Sequence, residues 1–226
     1  MKAMILSAGL GTRLMPLTQN KPKPLVEVGG QTLLERNIIH LYEYGVKQMV
    51  VNGSKFGEQI DALLNEINLP GLDIFFLDEG AKPLGTAGGI FNAQDNGYFL
   101  DQSFWVVNSD ILSNYHFPKI NFDSNTFGHL ILVPNPDHNI RGDFGLKSSR
   151  ATLELQKAFT FSGISFLSPR IFLESKKRHS SLAALFRENI RFNNLSGELF
   201  YDHWLDVGTI ERLNRAQRLI ENTSYE

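Results

Sequence analysis

Gly9-Leu10-Gly11 stands directly behind an apolar run at the start of the chain, Lys2 to Ser7, and leads into Thr12-Arg13. A glycine-bearing loop after a strand lets backbone N–H groups face outward, where they can cradle phosphate oxygens. Arg13 adds a planar, permanently charged fork suited to polyphosphate. Further on, Lys23 lies between Pro22 and Pro24, which stiffen the backbone and aim its ammonium at one point. Such a set could hold and polarise a triphosphate. Two alternatives fail on spacing. Gly-x-x-x-x-Gly-Lys-Ser/Thr does not occur in this segment, and the dinucleotide fingerprint needs Gly or Ala where Leu14 stands. Gly9-Leu10-Gly11 alone would suit an ordinary tight turn, so the weight falls on Thr12-Arg13 and the Pro-Lys-Pro segment.

Two aspartates extend the possible chemistry. Asp110 ends Asn108-Ser109-Asp110 after a β-like run, and Asp206 also follows a β-like run and precedes a helix. At Asp110 a plain turn-forming Asp is the competing reading. Gly85-Thr86-Ala87-Gly88-Gly89 is glycine-rich at the start of a helix, where close helix packing is the competing reading. His138, His179 and His203 show no metal-ligand spacing; His203 could touch a substrate but equally suits a packed or surface position. Lys176-Lys177-Arg178-His179 reads as a solvated basic face.

The elements that must position these residues alternate between short apolar runs and helical patterns, the sign of a mostly parallel sheet covered by helices on both faces. Strands are expected at Lys2–Ser7, Val46–Asn52, Leu72–Leu77, Ser103–Asn108, His129–Val133, Phe159–Leu167 and Phe200–Val207. Helices are expected at Thr32–Tyr44, where Leu34, Ile38 and Leu41 share a face and Gly45 ends the run, and at Phe56–Glu66, Thr86–Ala93, Ser180–Ile190 and Thr209–Asn222. In a sheet of this kind ligands sit at the carboxyl ends of strands near a topological switch point. The loop after Ser7 and the Asn108-Ser109-Asp110 turn are therefore the segments of interest.

Composition narrows the function classes. The 226 residues, 42% apolar with 22 Lys+Arg against 24 Asp+Glu, suit one α/β domain with an adequate core. The absence of cysteine removes thiolate nucleophiles and metal–thiolate sites and fits a reducing compartment. A net charge of −2 gives no footprint for nucleic acid, so an anionic ligand must be held locally. The N-terminal apolar run is short and leads into a glycine loop rather than a cleavage site, and no stretch approaches a membrane span. A cytoplasmic protein with no membrane partner is expected.

The segment Ser7-Ala8-Gly9-Leu10-Gly11-Thr12-Arg13 with Lys21-Pro22-Lys23-Pro24 resembles the signature of the sugar-1-phosphate nucleotidyltransferases. The likeness continues in order through Glu79-Gly80, Leu84-Gly85-Thr86-Ala87-Gly88-Gly89-Ile90, Asn108-Ser109-Asp110, Arg141-Gly142-Asp143-Phe144, Phe159-Thr160-Phe161-Ser162-Gly163-Ile164 and His203-Trp204-Leu205-Asp206-Val207-Gly208-Thr209. Within the family it is greatest to the bacterial branch that acts on N-acetylmuramic acid 1-phosphate and UTP in cell-wall recycling.

The resemblance implies a single Rossmann-like domain over residues 1–226, with a nucleotide-binding half at 1–110 and a sugar-phosphate-binding half at 111–226. It leaves no room for the appended domain of longer members. It implies nucleotide contacts from Gly9, Gly11, Thr12, Arg13, Lys23, Glu79, Gly80, Thr86, Gly88 and Asn108. Glu79-Gly80 would edge the base through backbone groups, though Glu79 also suits a solvated loop charge. Asn108, Arg141, Gly142, Asp143, Ser162 and Gly163 would meet the sugar phosphate, Arg141 being also open to a salt bridge with Asp143. Asp110 and Asp206 would hold Mg²⁺, and Arg13, Lys23, Asp110 and Asp206 would form the catalytic set. Ser109 departs from the Gly common there; were φ positive, Ser would cost about 1 kcal/mol or more. Ser7 for the commoner Ala is a milder departure. The expected partners are small molecules, a nucleoside triphosphate and a sugar 1-phosphate, with the chain a monomer or weak dimer. Guanylyl or thymidylyl transfer to mannose, heptose or glucose 1-phosphate is the rival within the class, and a catalytically silent nucleotide-sugar sensor the rival outside it.

Overall fold

The first strand, β1 (Lys2–Leu6), is buried from Ala3 onward, as a strand covered on both faces must be. Its side chains alternate between two cores. Ala3 and Ile5 pack with Leu34, Ile38, Leu41, Ile60 and Leu64, while Met4 and Leu6 pack with Ala87, Ile90, Phe91, Leu185 and Phe186. The computed structural model describes residues 1–154, 156, 158–175 and 178–223, with side chains to 221.

Beyond β1 the first half carries β2 (Glu27–Val28), β3 (Gln31–Thr32), α1 (Leu33–Glu43), β4 (Gln48–Gly53), α2 (Gly57–Glu66), β5 (Asp73–Asp78), α3 (Thr86–Asp95) and β6 (Phe104–Asn108). The second half carries β7 (Ile111–Ser113), β8 (Gly128–Val133), β9 (Phe144–Lys147), β10 (Arg150–Thr152), β11 (Ala158–Leu167), α4 (Arg170–Leu173), α5 (Leu182–Arg191), β12 (Leu195–Leu199), β13 (Trp204–Asp206) and α6 (Ile210–Thr223). One nine-stranded sheet takes strands from both halves in the order β5-β4-β1-β6-β11-β8-β12-β10-β9. Only β10 and β11 run against the others. The expected α/β architecture, mostly parallel with helices on both faces, is the observed one.

The switch point lies at β1. After it the chain moves one way to β4 and β5 through α1 and α2, then returns through α3 to β6 on the other side. The registers set Leu6 level with both Asn52 and Asn108, so an asparagine flanks the carboxyl end of β1 on each side. Helix α1 begins where the sequence places it, because Thr32 and Glu35 form a reciprocal capping box.

A third core, of Leu14, Val26, Val28, Leu33, Leu205, Val207, Leu213 and Ala216, clamps α6 against the segments that carry Arg13 and Lys23. The last helix thus holds the first loop. Among the described residues no helix is long and apolar enough to cross a membrane.

Two expectations need correction. The strand read at Phe200–Val207 is only β13, paired antiparallel with β7 apart from the main sheet. Leu195–Leu199, broken in pattern by Ser196-Gly197, is instead the sheet strand β12, lying parallel to β8. The basic run is not wholly solvated either: the His179 imidazole is half-buried against Glu188, and Arg178 forms a bidentate pair with Asp95. Lys176 and Lys177 lie outside the described residues.

Candidate active site

Strand ends build the site. The Ser7 N–H donates to Asn52 Oδ1 at 2.7 Å, and the Ser109 N–H donates to the Leu6 carbonyl at 3.1 Å. The loop that follows is pinned from its sides, Ser54 Oγ donating to the Ala8 carbonyl and Thr18 Oγ1 to the Gly11 carbonyl. Gly11 has φ +65°, and a Cβ there would come 3.0 Å from Lys23 Cβ, so the glycine serves both the turn and the approach of Lys23. Around this loop lies a cleft of about 490 Å³, lined by residues 6–13 together with Lys23, Asn52, Pro83, Gly85, Thr86, Asn108, Asp110 and Gly208.

Arg13 is exposed and makes no hydrogen bond or ion pair within the described residues, whereas Lys23 is buried and bonded to Asp110. One cation is free to follow a ligand and the other is held in place. The turn bearing Asp110 is fixed from behind by Asn37, whose Nδ2 lies 3.3 Å from the Ser109 carbonyl and 3.0 Å from that of Ile111. Ser109 has no left-handed backbone, so the strain considered for it does not arise.

Asp206 reaches the same place because β13 pairs with β7, setting Asp206 opposite Ile111, and the Val207 N–H donates to the Asp110 carbonyl at 2.8 Å. His138 Nε2 lies 3.2 Å from Asp206 Oδ1, and Arg212 Nη2 lies 3.3 Å from Oδ2. Neither approach has hydrogen-bond geometry: Asp206 Oδ1 and Arg212 Nε and Nη2 are buried with no hydrogen-bond partner within the described residues. Burial pushes the Asp206 carboxyl above its usual range, and the Asp110 carboxylate adds to this against Arg212, His138 and Lys23. Two neighbouring carboxylates, one with an unsatisfied buried oxygen, fit a hard divalent cation that completes its shell with phosphate oxygens and water.

The other expected residues lie at varied distances from this centre. Thr86 and Asn108 line the cleft, while Glu79, Gly80 and Gly88 do not. Both Glu79 oxygens are engaged, Oε1 by Asn52 Nδ2 and Oε2 by the Leu84 N–H, so it is not a solvated loop charge. Gly163 lies at an irregularity of β11 with φ +82°, where a Cβ would come 2.8 Å from Asn108 Nδ2. The Ser162 hydroxyl is fully buried and accepts from the Ile164 N–H, and the Ser162 carbonyl accepts from Trp204 Nε1 at 2.8 Å, so both oxygens are already engaged and neither lines the cleft. Asp143 accepts from Asn139 Nδ2 and the Phe161 N–H, and Arg141 is exposed without an ion pair to it.

Sequence reasoning missed Asn37, Asn52, His138 and Arg212. Asn37 carried a signal as a polar residue on the buried stripe of α1, and Asn52 as a strand-end asparagine like Asn108. His138 carried none.

A family model described as nucleotidyl transferase matches residues 2–146. The N-acetylmuramate alpha-1-phosphate uridylyltransferase of Neisseria meningitidis serogroup B is 38% identical, over 97% of this chain and 98% of that protein. A probable mannose-1-phosphate guanylyltransferase of Oryza sativa subsp. japonica is 31% identical over 92% of this chain but 61% of its own length. HddC from Yersinia pseudotuberculosis, solved with GMP-PN, superposes with a TM-score of 0.77 at 23% identity, covering 97% of this chain and 99% of that one. That identity speaks to the fold alone.

Proposed function

The chain belongs to the sugar-1-phosphate nucleotidyltransferase family, and from that premise we propose that it transfers uridylyl from UTP to N-acetylmuramic acid 1-phosphate, releasing pyrophosphate. The end-to-end likeness to the Neisseria uridylyltransferase carries the choice of substrates. The product, a UDP-sugar, suits recovery of cell-wall sugar.

The reaction needs no activated side-chain nucleophile, because the sugar phosphate is already an anion. One of its oxygens attacks the α-phosphorus of UTP; the new P–O bond forms as the bond to the β-phosphate oxygen breaks, and pyrophosphate leaves with that electron pair. Catalysis then rests on alignment and on charge placed in advance. In this reading the Gly9–Thr12 backbone and Arg13 hold the departing pyrophosphate. Lys23 meets charge at the α-phosphate from a position set by Pro22, Pro24 and Asp110. Asn108, beside Gly163, faces the ribose or the incoming phosphate, and Arg141 is the group suited to the lactyl carboxylate of a muramic acid. Asp110 and Asp206 would hold Mg²⁺, which when bound neutralises phosphate charge.

The test is a matrix of UTP, CTP, GTP and dTTP against N-acetylmuramic acid, N-acetylglucosamine, glucose and mannose 1-phosphates, scored by pyrophosphate release. The highest rate is expected with UTP and the muramic acid phosphate. GTP with mannose 1-phosphate giving the highest rate would overturn the substrate assignment.

A further inference from the structure

We propose that Asn52 and Glu79 are positioning residues that couple the phosphate-holding loop to the wall beside the nucleoside, so that filling either part readies the other. The proposal rests on reading the cleft as the nucleotide site.

The connection is a chain of three hydrogen bonds. Ser7 N–H donates to Asn52 Oδ1 at 2.7 Å, Asn52 Nδ2 donates to Glu79 Oε1 at 2.6 Å, and the Leu84 N–H donates to Glu79 Oε2 at 2.7 Å. Each end has a fixed sense, since a backbone N–H only donates and a carboxylate only accepts. Asparagine alone among side chains of its size satisfies both neighbours. Asn52 is 2% exposed and cannot exchange either partner for water without cost. The bond to Leu84 closes the segment from Glu79 onto itself and fixes the approach to Pro83, Gly85 and Thr86, which line the cleft together with the Gly9–Arg13 loop.

Helix α3 makes room for the chain. A Cβ on Gly89 would come 2.5 Å from Glu79 Oε1 and 2.6 Å from Asn52 Nδ2. Its helical position would otherwise favour alanine. A displacement at Ser7 is therefore felt at Leu84 through one buried amide and one carboxylate, and coupling of this kind is reciprocal between the two ligand parts.

Calorimetry on the full chain tests it, with pyrophosphate titrated in the absence and presence of saturating uridine. Uridine is expected to tighten pyrophosphate about fivefold or more, and this ratio should fall to about one in Asn52→Leu and in Glu79→Gln. Because Glu79 is partly exposed, Glu79→Gln decides the matter should Asn52→Leu fail to fold. Uncoupled binding in the wild type, or a folded variant that keeps the ratio, overturns the proposal. Pyrophosphate failing to bind the wild type overturns it together with the cleft reading. The substrate matrix separates this from a wrong choice of base: if another triphosphate gives the highest rate there, its nucleoside replaces uridine in the titration.

Discussion

The Lys23 ammonium is bonded to the Asp110 carboxylate, joining the Pro-Lys-Pro segment to the turn after β6 across the cleft. Each group keeps the other's charge compensated in the wall of the cleft, and both stand where phosphate charge would be met. Lys23→Ala is expected to lower turnover by about 10²-fold or more, measured by pyrophosphate release. Lys23→Arg should not restore it. The planar guanidinium is not a substitute for a point charge, and the Gly11 turn leaves little space beside the Lys23 stem.

Asn37 serves the same aspartate from the opposite side. Its amide holds the carbonyls on either side of Asp110 as well as that of Leu33, and it is buried. Asn37→Ala leaves buried acceptors unpaired, so urea denaturation should show a loss of about 1–3 kcal/mol. Turnover should fall as well, since the turn is no longer fixed.

The raised Asp206 carboxyl gives pH dependence a definite sign. A cation is held by the deprotonated form, so Mg²⁺ affinity should fall as pH drops through a value above the usual carboxylate range. Arg212 opposes the rise, and Arg212→Ala should therefore move the acid limb to higher pH. Titration of Mg²⁺ affinity against pH in the two proteins checks this; a limb that stays put or moves down contradicts it.

A half-buried histidine sets an acid limit on stability. Burial holds His40 below its usual value of 6.5, and its Nε2 donates to the Tyr115 carbonyl within a ring cluster with Tyr44 and Phe117. Above the unfolded value neither state binds the proton. Below it the unfolded chain binds the proton first, so stability falls as pH drops from about 6.5 toward the lowered folded value. His40→Gln should flatten that limb in urea midpoints measured between about pH 7 and pH 5.

How far these relations were legible depended on range along the chain. β1, α1 and the loop after Ser7 could be read because apolar alternation, the Thr32 cap and glycine placement are local. β12 was missed because Ser196-Gly197 interrupts a run whose strand state is imposed by β8. The approach of His138 to Asp206 follows from a loop folding back over β13, which no spacing encodes. Glu79 was ambiguous for the same reason: whether a loop carboxylate is solvated depends on Asn52 and Leu84, and only the fold brings Asn52 to it.

Gly89 offers a test in which two local effects oppose each other. In the interior of α3 an alanine would ordinarily stabilise by about 0.5–1 kcal/mol. Here its Cβ would fall inside contact distance of both Glu79 Oε1 and Asn52 Nδ2, the two atoms of a 2.6 Å hydrogen bond to a charged group. Hydrogen bonds of that type contribute about 1.5–3 kcal/mol, and both side chains are also held at their other end, Asn52 Oδ1 by the Ser7 N–H and Glu79 Oε2 by the Leu84 N–H. The loss should exceed the gain in helix propensity, so Gly89→Ala is expected to destabilise by about 1–2 kcal/mol. It should also raise the KM for the triphosphate more than that for the sugar phosphate. A variant as stable as or more stable than the wild type in urea, with both KM values unchanged, would mean that the bond yields without cost and that the glycine is there for packing alone.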